Sequence, residues 1–246
     1  MKILPSTTEL STTPIARRHS PPAGKFPTYR ACLRWEFGFS CAFCLLHEAD
    51  FVAGGIDGTG LTSVEHQIPR SHAPQLEDEY DNCIYACRFC NGARGDTPNV
   101  DVAGRTLLDP CTSAWASHFK REGFSLAPLG DDAEYTAQTY DLDDPRKVEF
   151  RRARTGAITS GLRMLREGPE RVVKLLDAAV NAREQDRDVL VATAHDLRGF
   201  ILTAAKTLAR YRIVPLDAPV SCRCGAAFVR EAPRFMVAQC LDLEDR

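Results

Sequence analysis

The sequence predicts an α+β protein, with a small strand-and-turn module in its N-terminal half and a mainly helical C-terminal region. Three observations predict it. Two Cys-x2-Cys pairs, Cys41/Cys44 and Cys87/Cys90, stand on either side of an intervening stretch of the N-terminal half. That stretch, "DFVAGGIDGTGLTSVEHQIP", is rich in Gly and β-branched residues, the composition of short strands and turns. From residue 146 the apolar residues take up helical spacing instead.

In chain order, residues 1–28 ("MKILPSTTELSTTPIARRHSPPAGK…") are rich in Ser, Thr and Pro and read as a disordered leader. Residues 29–97 form the cysteine-bearing module, in which "RSHAPQLEDEYDN" is a polar loop and "CIYACRFCNGARGD" begins a short helix or knuckle. Residues 98–145 read as an irregular, β-containing linker, with turn signals at "LLDPC" and "APLGDD" and strand-like pieces "GFSLAPL" and "EYTAQTYDL". Over 146–214, Ile158, Leu162 and Leu165, then Val172, Leu176 and Val180, then Leu190, Leu197, Ile201, Ala204 and Leu208 mark helical faces. "EGPER" reads as the break between the first two helices, and Pro215 as the stop after the last. Residues 215–246 resemble a small hairpin or tail.

A chain of 246 residues has room for a core. No apolar run approaches the roughly 20 residues that span a bilayer, so no membrane role is expected. The leader has no apolar segment of the secretory kind, which points to the cytoplasm. In that reducing compartment, paired Cys-x2-Cys spacings favour metal or redox chemistry over a disulfide framework. The net charge of −2 argues against the whole molecule as a polyanion binder. Its distribution is uneven: residues 29–97 hold five Arg and no Lys against ten Asp and Glu, whereas 146–212 hold fifteen Lys and Arg against eight Asp and Glu.

Two Cys-x2-Cys pairs fit a tetrahedral Zn²⁺ site in which Cys41, Cys44, Cys87 and Cys90 each supply a thiolate at about 2.3 Å. Four protein ligands leave no vacancy, so such a site is structural, and a module this small depends on it for folding. Cys222 and Cys224, with Cys240, raise the question of a second site, but their Cys-x-Cys spacing is less usual and they read more simply as buried thiols. Cys32, Cys83 and Cys111 read as core residues, and so does His118 between its aromatic neighbours.

Taken singly, His66 beside Glu65 reads as a surface pair and Asn91 as a helix cap. Together, between the cysteine pairs, Glu65-His66, Ile68-Pro69, Ser71, Asp81-Asn82 and Asn91 resemble the HNH endonucleases. That family has a ββα-metal fold, often with four zinc-binding cysteines. The resemblance covers residues 29–97 and extends more loosely to "LLDPCTSAW". It implies that His66 is the general base and that Glu65 and Asn91 hold one catalytic divalent cation, Mg²⁺ or Mn²⁺. It also implies that Asn82 braces the loop between strand and helix. Asn stands at position 91 where the family name has its final His, and Glu65 stands where many members have Asp.

The function the resemblance implies is metal-dependent hydrolysis of DNA phosphodiesters, in restriction, phage defence or a mobile element. A backbone with one negative charge per about 1.7 Å of duplex needs cationic contacts. Arg70, Arg88 and Arg94 are the nearest in sequence to the site. Arg146, Lys147, Arg151, Arg152, Arg154, Arg163 and Arg166 read either as a phosphate track or as the solvated face of helices that bind a protein partner or a second copy. The alternatives are a zinc module that binds nucleic acid or protein without cutting, and an effector nuclease inactive until a partner binds.

Overall fold

The computed structural model describes residues 10–53, 61–212 and Cys224. They divide into two compact units, one of residues 10–153 with Cys224 and one of residues 154–212. The expected tail 215–246 lies outside the described residues except for Cys224, so Cys222 and Cys240 lie outside them as well.

The first unit opens with an extended segment anchored at several points. Ile15 N donates to the Pro110 carbonyl at 2.9 Å, and the Arg17 guanidinium reaches Glu36 and the Cys83 carbonyl. The expected disordered leader is therefore not what the structure shows over residues 10–28. Ser, Thr and Pro dominate the segment, but its arginine and backbone amides find partners in the module. A 3-10 turn, Phe26–Tyr29, leads into helix α1, Arg30–Glu36. Buried Arg34 of α1 grips Glu48 through two hydrogen bonds of 2.7 and 2.5 Å. Glu48 begins helix α2, Glu48–Ala53.

Strands β1, Thr62–His66, and β2, Cys83–Cys87, pair antiparallel with Glu65 opposite Ile84 and His66 opposite Cys83. Helix α3, Arg88–Arg94, follows β2 directly and stops at Gly95, whose φ of 50° suits a residue without Cβ. Strand, strand and helix are the ββα arrangement expected of residues 29–97. The core of this unit runs through Tyr29, Leu33, Phe43, Phe51, Ile84 and Tyr85, with Phe43 stacked on Tyr140 at 3.8 Å.

Helix α4, Trp115–His118, precedes a hairpin of β3, Phe119–Glu122, and β4, Ser125–Pro128. "GFSLAPL" thus supplies a strand, as its composition suggests. "EYTAQTYDL" does not: most of it lies in helix α5, Asp131–Thr139. Three acidic residues in the first turn favour a helix N-terminus. The β-branched Thr136 is accommodated because its hydroxyl donates back to the Asp132 carbonyl at 2.8 Å and accepts from Leu108 N at 2.9 Å.

Helix α6, Pro145–Asn181, is continuous through Pro169, where the sequence suggests a break. Its partner in the second unit is α7, Glu184–Arg212. The two helices pack tightly at Gly168: a Cβ there would lie 2.7 Å from the Ile201 side chain. The Gly-Pro pair therefore serves a helix contact and not a turn. The buried cluster is Val172, Ala194 and Ile201, with Met164, Leu165, Leu175 and Leu197 packed on it. Leu176 and Val180, expected on the inner face, are 40% and 75% exposed, while Ala179 is buried in their place.

The cationic run of α6 is a surface feature only in part: Arg146, Arg152, Arg163 and Arg166 are exposed, but Lys147 and Arg151 are not. Within the first unit, Lys147 and Arg151 are each 1% exposed. Lys147 Nζ donates to the Tyr140 and Asp141 carbonyls, and Arg151 donates to those of Phe124, Cys44 and Leu142. These side chains satisfy carbonyls of irregular backbone, a demand that residue spacing does not reveal.

Candidate functional site

The four cysteines converge. Cys41 and Cys44 lie on a knuckle closed by Cys41 N to the Leu46 carbonyl at 2.8 Å and Leu45 N to the Cys41 carbonyl at 3.1 Å, with Leu45 at φ 63°. Cys87 ends β2 and Cys90 lies one turn into α3. All four are buried, their sulfurs lie within 4.8 Å of one another, and Cys44 Sγ is 3.5 Å from Cys87 Sγ. Four thiols so placed can hold a metal ion. Burial, reinforced by neighbouring cysteines, raises the Cys44 and Cys90 thiols well above their ordinary range, a cost that a bound cation would reverse.

Around β1 the geometry is equally specific. Ser63 and Glu65 are two residues apart and share one face of the strand. Asn91, on α3, lies against that face: its Nδ2 donates to Ser63 Oγ at 2.9 Å and to the Val64 carbonyl at 3.2 Å. Both amide hydrogens are thereby used, so the carboxamide oxygen is the atom Asn91 has to offer a cation. Arg94, three residues on, reaches the same carboxylate. Its Nη1 lies 3.3 Å from Glu65 Oε1, and Glu65 Oε1 also accepts from His66 N at 2.9 Å. Glu65 Oε2 is buried without a hydrogen-bond partner. Burial raises the Glu65 carboxyl to about 7 despite Arg94. An unpartnered, buried, hard oxygen ligand is what a divalent cation requires, so the residues fit the expected ion.

His66 closes β1 and is 6% exposed. Its Nε2 lies 2.9 Å from the Glu77 carbonyl, and its ring meets Phe26 edge-on at 4.8 Å between centroids. A carbonyl only accepts, so Nε2 carries the hydrogen and, in the neutral ring, Nδ1 carries the lone pair. Burial lowers the His66 pKa, opposed by the Glu77 carbonyl and reinforced by the charges of Arg70 and Arg94.

Asn82 uses its whole carboxamide on the loop between the strands. Oδ1 accepts from Ile68 N at 2.8 Å, and Nδ2 donates to the Ile68 and Leu76 carbonyls, each at 3.1 Å. Leu76 adjoins Glu77, so Asn82 fixes the segment whose carbonyl orients His66.

The three arginines separate. Arg70 is exposed, 3.1 Å from Glu77 Oε1 and stacked over Phe26, and Arg88 is exposed on α3. Arg94 is not on the surface: it is 1% exposed and donates to Glu65, to the carbonyls of His66 and Gln67, and to Asn99 Oδ1. A buried carboxylate and two loop carbonyls account for it, in place of the expected nucleic-acid contact. Sequence reading passed over Glu77, Phe26, Ser63 and Asn99. Glu77 acts on His66 through its backbone, which leaves no signature in residue type.

No curated protein and no solved structure matches this chain. A family model described as HNH endonuclease does match, over residues 41–97, a span that includes both cysteine pairs, Glu65, His66, Asn82 and Asn91. On that match and on the cysteine cluster within it, residues 41–97 are an HNH endonuclease domain.

Proposed function

We propose that the protein is a metal-dependent DNA endonuclease in which His66 is the general base. The observation that carries this reading is the bond from His66 Nε2 to the Glu77 carbonyl, which leaves Nδ1 as the basic nitrogen. At that nitrogen a proton can be taken from a water attacking phosphorus. Asn82 is a positioning residue, holding Leu76 and hence the Glu77 carbonyl in register with His66. Glu65 through Oε2 and Asn91 through its carboxamide oxygen would hold one Mg²⁺ or Mn²⁺. Such an ion, when bound, neutralises charge on the phosphate and stabilises the departing oxygen. The four cysteines hold Zn²⁺ that fixes the knuckle, β2 and α3 together, and exposed Arg70 and Arg88 meet the phosphate backbone.

The ion pair of Glu65 with Arg94 favours a second reading, a domain that binds nucleic acid without cutting, because Arg94 already neutralises one candidate ligand. Supercoiled plasmid incubated with the purified protein separates the two. Nicked or linear product that needs Mg²⁺ or Mn²⁺ and disappears with EDTA supports the nuclease. Retarded but intact plasmid supports the binding domain.

A further inference from the structure

A second group of metal-binding side chains lies in the first unit and shares no residue with the four-cysteine cluster. His19 Nδ1, Cys32 Sγ and Cys224 Sγ lie within 4.8 Å of one another. His19 Nδ1 is 3.3 Å from Cys224 Sγ. Around an ion with bonds of about 2.3 Å to sulfur and about 2.0 Å to nitrogen, tetrahedral ligand atoms stand roughly 3.5–3.8 Å apart. The His19–Cys224 spacing is already close to that arrangement, and Cys32 Sγ lies within 4.8 Å of both.

The cluster is built into the fold. Cys32 and Glu36 lie four residues apart on α1 and therefore on one helix face. Glu36 holds the chain at His19 in place: its Oε1 accepts from the backbone N of both Arg18 and His19 at 2.7 Å, and its Oε2 from Arg17 Nη1 at 3.1 Å. The backbone carrying His19 is thus fixed beside the face that presents Cys32, which is fully buried. Cys224, half-buried, comes to the same point from 205 residues beyond His19.

We infer that His19, Cys32 and Cys224 bind a second Zn²⁺, independent of the four-cysteine site. The donor set of two thiolates and one imidazole suits a borderline-soft ion and disfavours Mg²⁺ or Ca²⁺, which take hard oxygen ligands. Among the described residues three side chains offer ligands to the ion, which joins the N-terminal segment, α1 and Cys224. None of these ligands acts in the proposed phosphodiester chemistry, so the site stands whether or not the protein cuts DNA.

Zinc content of the full-length protein, purified under reducing conditions and measured by elemental mass spectrometry, tests the inference. The expected result is two zinc ions per chain in the wild type. Cys224→Ser and His19→Ala are each expected to keep one, with unchanged far-ultraviolet circular dichroism. Cys32→Ser is not used, because a substitution inside α1 can disturb folding on its own. Replacing zinc by Co²⁺ adds a spectroscopic reading. The wild type minus Cys224→Ser difference is expected to show thiolate charge-transfer and tetrahedral d–d bands. One zinc per chain in all three proteins overturns the inference. So does a wild type with two zinc ions whose content neither substitution changes, or a disulfide between Cys32 and Cys224 in place of the metal.

Discussion

Arg94 hydrogen-bonds one oxygen of Glu65 and not the other: Nη1 lies 3.3 Å from Oε1, while Oε2 is buried without a hydrogen-bond partner. The same guanidinium holds the His66 and Gln67 carbonyls and Asn99. One side chain thus joins the end of β1 to α3. Arg94→Ala would leave a buried carboxylate uncompensated and is expected to cost about 3–5 kcal/mol. Arg94→Lys should recover little of it, because an ammonium cannot reproduce the planar fork. Urea unfolding followed by tryptophan fluorescence measures this, since Trp35 and Trp115 both lie in the first unit. A loss below about 1 kcal/mol, the range of exposed ion pairs, would contradict the assignment.

Asn82 is the corresponding device for the loop. Asn82→Ala removes three hydrogen bonds at a buried site and is expected to cost about 2–4 kcal/mol at roughly 0.5–1.5 kcal/mol each. Asn82→Asp keeps the acceptor for Ile68 N but sets a carboxylate against two carbonyls. It should therefore be no more stable than the alanine variant. Wild-type stability in Asn82→Asp would show that the loop is held by something else.

With His66 as the proposed base, the pH dependence of cleavage follows from its surroundings. Burial, reinforced by Arg70 and Arg94, lowers its pKa, so the neutral base persists below the ordinary value of about 6.5 and is lost only as pH falls further. At saturating Mg²⁺ or Mn²⁺, which holds the Glu65 carboxylate ionised, the acid limb of kcat/KM is accordingly expected below 6.5. Arg70→Ala removes a positive charge and should move that limb upward while weakening DNA binding. A limb above 6.5 in the wild type, or a downward move in Arg70→Ala, would count against His66 as the base.

Removal of the metal proposed for the four-cysteine cluster should unfold the domain. Structural Zn²⁺ contributes about 10–16 kcal/mol in small modules, more than a domain of this size otherwise retains. Cys87→Ala, or a strong chelator added to the wild type, is expected to red-shift tryptophan emission and expose residues 41–97 to proteases. Wild-type protease resistance in metal-free protein would refute this.

The parts of this molecule written in local patterns were legible in its sequence. The Cys-x2-Cys spacings located the cluster, and the family resemblance carried by Glu65, His66, Asn82 and Asn91 implied the ββα element. What depends on distant partners was not legible. Lys147 and Arg151 look like surface charge until the carbonyls they satisfy are known. Thr136 looks like a strand residue until its hydroxyl bonds are counted. Gly168-Pro169 reads as a break because the sequence does not show Ile201 lying against Gly168. His19 and Cys224 stand 205 residues apart, and no spacing rule links them.

The central claim is that His66 takes the proton from the attacking water, and cleavage of supercoiled plasmid by His66→Ala beside the wild type tests it most directly. The account predicts at least a hundredfold loss of the Mg²⁺- or Mn²⁺-dependent rate, within the roughly 10²–10⁴-fold range for a general base. DNA binding, zinc content and circular dichroism should be unchanged. Cleavage by a folded His66→Ala protein at the wild-type rate would contradict it.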